Sequence, residues 1–351
     1  MIDAGFWRGR RVLVTGHTGF KGSWLTLWLH ALGAEVHGFA SPPPTTPSLF
    51  ALARLDAMVP ATTGDVRDLA TVEAAVAASR PEVVFHLAAQ ALVNRSLADP
   101  VGTYSVNVTG AVNILESVRK ASHDVAAVVC VTSDKCYANR DWDWGYREND
   151  ELGGPDPYSS SKACQELVAA SYRDSLMGDD VGIATARAGN VIGGGDWAEH
   201  RLVPDVMQAA VDGRTVTVRN PGSVRPWQHV LNPLSGYICL AERLAGSRGA
   251  FAEAWNFSPA VEEARPVSWL VDRLRSRWPG GLSVQVAPAA NDPHEASLVK
   301  LDASKARQRL GWAPRWSVDR GVDAIVEWYE AYRDRRDLRA VTMEQIEAFG
   351  R

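Results

Sequence analysis

Arg11-Val12-Leu13-Val14-Thr15-Gly16-His17-Thr18-Gly19-Phe20-Lys21-Gly22 is the stretch that decides the fold. Its first five residues are a short β-branched run, and three glycines follow at three-residue spacing. Phe20 to Leu32 then reads as a helix stopped at Gly33, where a residue past the last turn often needs positive φ. In such a strand–turn–helix, Gly16 makes the tight turn, Gly19 lets the backbone approach a pyrophosphate, and Gly22 packs helix against strand. Free N–H groups and the dipole of the helix N-terminus favour an anion there. A plain glycine-rich turn is the competing reading. It loses ground because the stretch opens a longer α/β series.

Outward from this turn, strand-like runs recur at Glu35–Phe39, Glu82–Leu87, Ala126–Thr132 and Gly182–Arg187. Helical patterns lie between them at Leu69–Ser79, Pro100–Ser122 and Ser159–Leu176. The later strands are continuously apolar rather than alternating, as expected when helices cover both faces of a parallel sheet. The series predicts an α/β chain with a Rossmann-like doubly wound parallel sheet. After about Gly189 the regularity breaks into Gly193-Gly194-Gly195, Asn220-Pro221-Gly222 and Arg225-Pro226-Trp227, which read as loops over the sheet. Ala254–Phe257 reads as a strand returning to it. The expected division is a nucleotide-binding domain over 1–190 with a return near 229–258. A smaller, interleaved C-terminal substrate-binding lobe would take 191–228 and 259–351.

Composition narrows the classes. At 351 residues the chain has room for about two structural units. Its 46% hydrophobic and 22% charged content is that of a globular protein. The net charge of -4 leaves no basic surplus for binding nucleic acid. With no apolar run long enough to span a membrane and no signal peptide, a cytoplasmic location is expected. The four cysteines form neither a disulfide framework nor a zinc pattern, so no metal is expected.

Two further stretches carry chemistry. Tyr158-Ser159-Ser160-Ser161-Lys162 puts a phenol and an ammonium on one helix face. A nearby cation favours phenolate and would lower the tyrosine from its usual value of about 10. So tuned, Tyr158 can take a proton from a hydroxyl while a hydride leaves the same carbon. The bland alternative is a solvated Tyr–Lys face. Ser133-Asp134-Lys135 ends the strand before it, where doubly wound folds line their ligand crevice. Ser133 suits the hydroxyl being oxidised, Asp134 an acid, and Lys135 a base or electrostatic clamp; a plain turn is the alternative. The second strand ends Gly38-Phe39-Ala40-Ser41, without an acid to read a ribose hydroxyl or an arginine to accept a 2′-phosphate. Asp65 is the remaining candidate to face the adenine, or else only a helix N-cap.

Together these residues resemble the CDP-glucose 4,6-dehydratases, extended short-chain dehydrogenase/reductases of the NAD-dependent epimerase/dehydratase group. The likeness rests on Thr15–Leu25, Asp134-Lys135-Cys136-Tyr137, Trp144–Asp150, Asp156–Lys162, Arg187–Trp197, Arg225–Val230 and His294-Glu295-Ala296. It implies NAD, with NADP disfavoured, held by Gly16, Gly19, Phe20, Lys21, Gly22, Asp65, Val66, Leu87, Ala88, Ala89, Asn107, Tyr158 and Lys162. It implies CDP-glucose or a related nucleotide sugar as substrate, contacted by Gln90, Asn190, Arg201, Arg225 and His294. Arg225 is the natural diphosphate clamp, whereas Arg201 reads equally well as a surface ion-pair partner. Asn107 would order the Tyr158–Lys162 region unless it is only a helix-surface asparagine.

The implied reaction oxidises C4 with Tyr158 as base, eliminates water across C5 and C6 with Asp134 as acid, and returns the hydride to C6. Lys162 would bind the nicotinamide ribose, and Ser133 the 4-hydroxyl. Lys135 stands where dTDP-sugar relatives carry a glutamate, as base or as enolate stabiliser. Ala91, Asn94, Leu97 and Asn232 depart from the family pattern, all on the substrate side. A 4-epimerase on the same scaffold would not need the Asp134–Lys135 pair, and a non-catalytic NAD(P) sensor would not need Tyr158. Trp142 and Trp144 are expected over the substrate. The resemblance also implies a homodimer or dimer of dimers through the helices after Pro100 and Tyr158.

Overall fold

Leu13 packs with Val84 and Val128 on one side of the central sheet, while Val12, Val14, Phe85 and Val129 pack on the other. Both faces are therefore buried, which is why these strands carry no polar alternation. The computed structural model describes residues 2–121, 125–178, 180–287 and 299–351. Its sheet has seven strands: β1 (Arg11–Thr15), β2 (Glu35–Ala40), β3 (Ala61–Thr63), β4 (Val83–His86), β5 (Ala127–Val131), β6 (Gly182–Arg187) and β7 (Ala254–Asn256). They lie side by side in the order β7-β6-β5-β4-β1-β2-β3, all parallel. The chain runs outward from β1 through β2 to β3 and then crosses back to β4. The reversal between β1 and β4 opens a crevice at their carboxyl ends, where doubly wound folds bind ligands. The expected Rossmann-like architecture is the observed one.

Helix α1 (Phe20–Ala31) follows β1, and α2 (Leu69–Ser79) follows β3. The helix expected over Pro100–Ser122 is instead three pieces: α3 (Pro100–Tyr104), a wide π turn over Ser105–Thr109, and α4 (Gly110–Lys120). Helix α5 (Pro157–Ser171) starts at Asp156, whose carboxylate accepts from the Ser159 N–H at 2.9 Å, and ends in a second π turn over Tyr172–Met177. Such wide turns inside helices recur at functional sites, and the first one carries Asn107.

β7 joins the sheet beside β6, as the sequence suggested. Three small two-stranded pieces lie in the later half: Val191–Ile192 with Gln228–His229, Val224–Arg225 with Arg265–Pro266, and Val216–Val218 with Val284–Val286. The sequence reading missed β3 and these pairs, because runs of two or three residues are too short to show a periodicity. Helix α6 (Leu231–Gly246) packs on the sheet, and α7 (Val318–Arg333) fixes the loop after β6. There the Tyr329 hydroxyl donates to the Asp196 carbonyl at 2.6 Å, and Trp197 packs 4.8 Å from Tyr332. Among the described residues, no helix is long and apolar enough to cross a membrane.

Candidate active site

The glycine turn is built as its spacing requires. Gly16 has φ +73°, and a Cβ there would sit 2.7 Å from the Ala88 nitrogen. A Cβ on Gly22 would lie 2.1 Å from the Gly16 carbonyl oxygen, so α1 starts in direct contact with the turn. Gly19 is the N-cap of α1 and brings no side chain to its open N–H groups. At the crevice floor, Leu87 and Ala88 donate their N–H groups to the Thr15 hydroxyl at 3.1 and 3.2 Å. This cradle fits a dinucleotide, because a bare helix N-terminus lies where a pyrophosphate must come close. His17 is buried against Gly38 and lies edge-on to Phe50 at 5.4 Å. Burial lowers it to about 4, so its imidazole is neutral at physiological pH.

The Asp65 carboxylate is held by the Arg67 guanidinium at 2.5 Å, and those hydrogen bonds hold its carboxyl below the usual range. Asp65 does not cap α2. Asp68 does, accepting from the Ala70 N–H at 3.1 Å. Val66 is buried and its carbonyl accepts from Asn113.

Tyr158, Ser133 and Asp134 are all buried at the carboxyl end of β5. The Ser133 hydroxyl donates to Asp134 Oδ1 at 2.8 Å and accepts from the Lys135 N–H at 3.2 Å. The turn Asp134–Cys136 is one tight helical turn capped by Ser133. Asn190, in the left-handed region at φ +48°, reaches Asp134 Oδ2 at 3.5 Å. Burial pushes the Tyr158 phenol up to about 12, while the neighbouring Ser133 hydroxyl pulls the other way. The expected lowering by Lys162 does not occur in the chain itself. Lys162 Nζ instead donates to the Val131 carbonyl at 3.1 Å and to Gln165 Oε1 at 2.9 Å. Burial, with Lys21 nearby, lowers Lys162 to about 8.

Asn107 proves to be buried rather than on a helix surface. Its amide donates to Ser161 Oγ at 2.8 Å and accepts from the Gln90 N–H at 2.8 Å, and Ser161 in turn donates to the Tyr158 carbonyl. It thus orders the Tyr–Lys helix. Gln90, expected at the substrate, uses its side-chain amide on the Leu92 backbone and the Thr103 hydroxyl. Arg201 pairs with the buried Asp196 at 3.1 Å and lies in the electrostatic neighbourhood of Lys21 and Tyr158. Of the two expectations for Arg201, the ion pair is the one observed, with a buried rather than a surface carboxylate as its partner. Arg225 is half-buried on the short strand paired with Arg265–Pro266. His294 lies outside the described residues.

Asp134 and Lys135 line a cavity of ≈ 410 Å³ with Tyr137, Asn139, Tyr146 and Asp156. Trp142, expected over the substrate, packs on Tyr146 at 5.1 Å instead, and Trp144 is exposed. Sequence reasoning also missed a buried ion pair, Glu166–Arg187 at 2.8 Å. Its only sequence signal was that Tyr158, Lys162 and Glu166 repeat every four residues along α5.

The family model described as GDP-mannose 4,6 dehydratase matches residues 13–325. This chain belongs to that dehydratase family. Among the dehydratases, the CDP-glucose 4,6-dehydratase of Salmonella typhimurium is 49% identical over 352 residues, covering 99% of this chain and 98% of that protein. The solved dTDP-glucose 4,6-dehydratase of Streptomyces venezuelae, with NAD bound, superimposes at TM-score 0.76 with 25% identity. It covers 94% of this chain and 99% of that one. The UDP-glucose 4-epimerase of Thermotoga maritima reaches TM-score 0.79 at 22% identity over 92% of this chain and 99% of its own, which speaks for the fold alone. The resemblance drawn from the motifs is therefore borne out.

Proposed function

We propose that this chain is an NAD-dependent CDP-glucose 4,6-dehydratase, a hydro-lyase forming CDP-4-keto-6-deoxy-D-glucose for deoxysugar biosynthesis. The observation that carries the reading is the meeting of Tyr158, Ser133 and Asp134 at the end of β5, in a chain 49% identical over nearly its full length to the Salmonella enzyme. Bound in the glycine cradle, NAD supplies the acceptor and later the donor of one hydride, so the reaction is redox-neutral overall. Tyr158 takes the proton of the 4-hydroxyl, with Ser133 orienting that oxygen. The Arg201 charge favours the phenolate against the burial that opposes it. Asp134, held by Ser133, gives its proton to the departing 6-hydroxyl, which leaves as water. Lys135, on the same turn, serves the C5 side as base or as charge partner of the enolate.

Arg201, Arg225 and Asn190 take the diphosphate and sugar, with the lobe over 191–228 and 259–351 closing on the nucleotide. The enzyme works in the cytoplasm, in keeping with four free cysteines. It works as a homodimer or dimer of dimers. Val101 on α3, and Leu167 on α5, are 79% and 60% exposed on the helices that would meet.

Incubation with CDP-glucose and NAD in deuterated water, read by NMR, should give a product with a 6-methyl group and solvent deuterium at C5. The Tyr158→Phe variant should give none. A product with its hydroxymethyl group intact and C4 inverted would assign a 4-epimerase instead.

A further inference from the structure

We infer that the buried Glu166–Arg187 pair is a positioning device: it holds the turn bearing Asp134 and Lys135 in register with Tyr158 and Lys162, and so governs the elimination, whose acid and C5 partner both stand on that turn, more than the oxidation, which shares only Ser133 with it. The inference rests on the dehydratase reading and adds two residues to it.

Each side chain of the pair is 3% exposed. A carboxylate has about four lone-pair sites, and all four of Glu166's are filled. Oε1 accepts from the Thr132 hydroxyl at 2.5 Å and Arg187 Nε at 2.9 Å. Oε2 accepts from the Thr185 hydroxyl at 2.5 Å and Arg187 Nη2 at 2.8 Å. The remaining guanidinium nitrogen, Nη1, donates to the Tyr137 hydroxyl at 2.6 Å and the Glu148 carbonyl at 3.1 Å.

The positions of those partners decide the reading. Thr132 immediately precedes Ser133, and Tyr137 immediately follows Cys136. The pair therefore grips the catalytic turn at both of its ends, with nothing but Ser133–Cys136 between the grips. Glu166 sits on α5, two repeats of four beyond Tyr158 and one beyond Lys162, so the same carboxylate is rigidly tied to the phenol and the ammonium. Arg187 ends β6, two residues before Gly189, whose Cα leaves no room beside the Asp134 carboxyl. The network continues outward. The Tyr137 hydroxyl donates to Asn256 Oδ1 at 2.8 Å, and the Asn256 amide donates to the Tyr146 and Asp302 carbonyls at 2.8 and 3.1 Å.

Buried ion pairs are weak contributors to stability when a packed apolar alternative exists. Bidentate geometry between helix, strand and turn gives instead a fixed orientation. A displacement of about 1 Å at the reacting groups costs on the order of 10²-fold in rate, so such a grip matters to catalysis even where it matters little to folding.

Thr132→Val and Tyr137→Phe test this without breaking the pair, because each removes one hydroxyl link between it and the turn. In the NAD-loaded enzyme turning over CDP-glucose, each should lower kcat by about 10-fold or more, with KM and NAD affinity unchanged. Because elimination slows more than oxidation, the near-ultraviolet absorbance of reduced nicotinamide on the enzyme should rise in the steady state. Thr132→Ser, which restores the hydroxyl, should restore kcat. Loss of kcat and melting temperature together, with no rise in that absorbance, would reduce the pair to a structural role and overturn the inference. Wild-type kcat in both variants would overturn it too, leaving the dehydratase reading in place. A wild-type enzyme that leaves CDP-glucose unchanged overturns both.

Discussion

Gly189→Ala is the substitution whose effect the structure defines most sharply. A Cβ at position 189 would stand 2.0 Å from Asp134 Oδ2 and 2.2 Å from its Cγ, where ordinary contact begins near 3.4 Å. The nearest backbone is not involved, and Gly189 is not in the left-handed region. The strand exit can therefore accept alanine, but the carboxyl must retreat by about 1.4 Å, breaking its place beside Ser133 and Asn190. Misplacing a reacting group by that much costs about 10²-fold. Stability should fall by about 1–3 kcal/mol, the usual cost of overpacking a buried site, because one short side chain rather than backbone absorbs the strain. Steady-state dehydration of CDP-glucose, run beside thermal unfolding and NAD titration, reads all three quantities. The expected pattern is a collapse of kcat with unchanged cofactor affinity and a cooperative melt lowered by only a few degrees. A variant with wild-type kcat would show that Asp134 is not the acid at this position.

Gly22→Ala should instead act on the cofactor. The new Cβ meets only backbone, at 2.1 to 2.9 Å, so the turn and α1 must part, weakening NAD binding at least about 10-fold and costing about 1–3 kcal/mol; calorimetric titration with an unchanged Kd would contradict this. Lys162 falls from 10.5 to about 8 through burial and the nearby Lys21 charge. Between pH 8 and 10.5 the unfolded chain thus binds more protons at this site than the folded one, and stability rises with pH across that window by about 3 kcal/mol in all. Urea unfolding of Lys162→Met should lack that component of the slope and be the more stable protein below pH 8. An identical slope in variant and wild type would refute the assignment. Val101→Glu, placed on the exposed face of α3, should halve the particle mass in sedimentation equilibrium if that face joins two copies. An unchanged mass would remove it from the interface.

What could be read from residues alone followed from how local the signal was. The glycine turn, β1 and the Tyr158–Lys162 pair each occupy one strand–turn–helix or one helix face, so spacing in the chain translates directly into spacing in space. Asn107 was ambiguous for the opposite reason: its partners, Gln90 and Ser161, lie 17 and 54 residues away. The π turn that points it inward has no composition of its own. Gln90 was ambiguous because a polar residue past a strand's carboxyl end looks the same whether it faces a ligand or braces its own loop, as its amide does here. The Lys162 effect on Tyr158 was misjudged because sequence carries the four-residue spacing but not the burial, which here dominates and raises the phenol. Arg187 lies 21 residues from Glu166 on another element, so the pair had no motif to announce it.

Mass spectrometry of CDP-, dTDP-, UDP- and GDP-glucose, each incubated separately with the enzyme and NAD, tests the central claim most directly. The account predicts loss of one water from CDP-glucose alone, abolished by Tyr158→Phe. An unchanged mass for CDP-glucose, or dehydration of another of the four in preference to it, would contradict it.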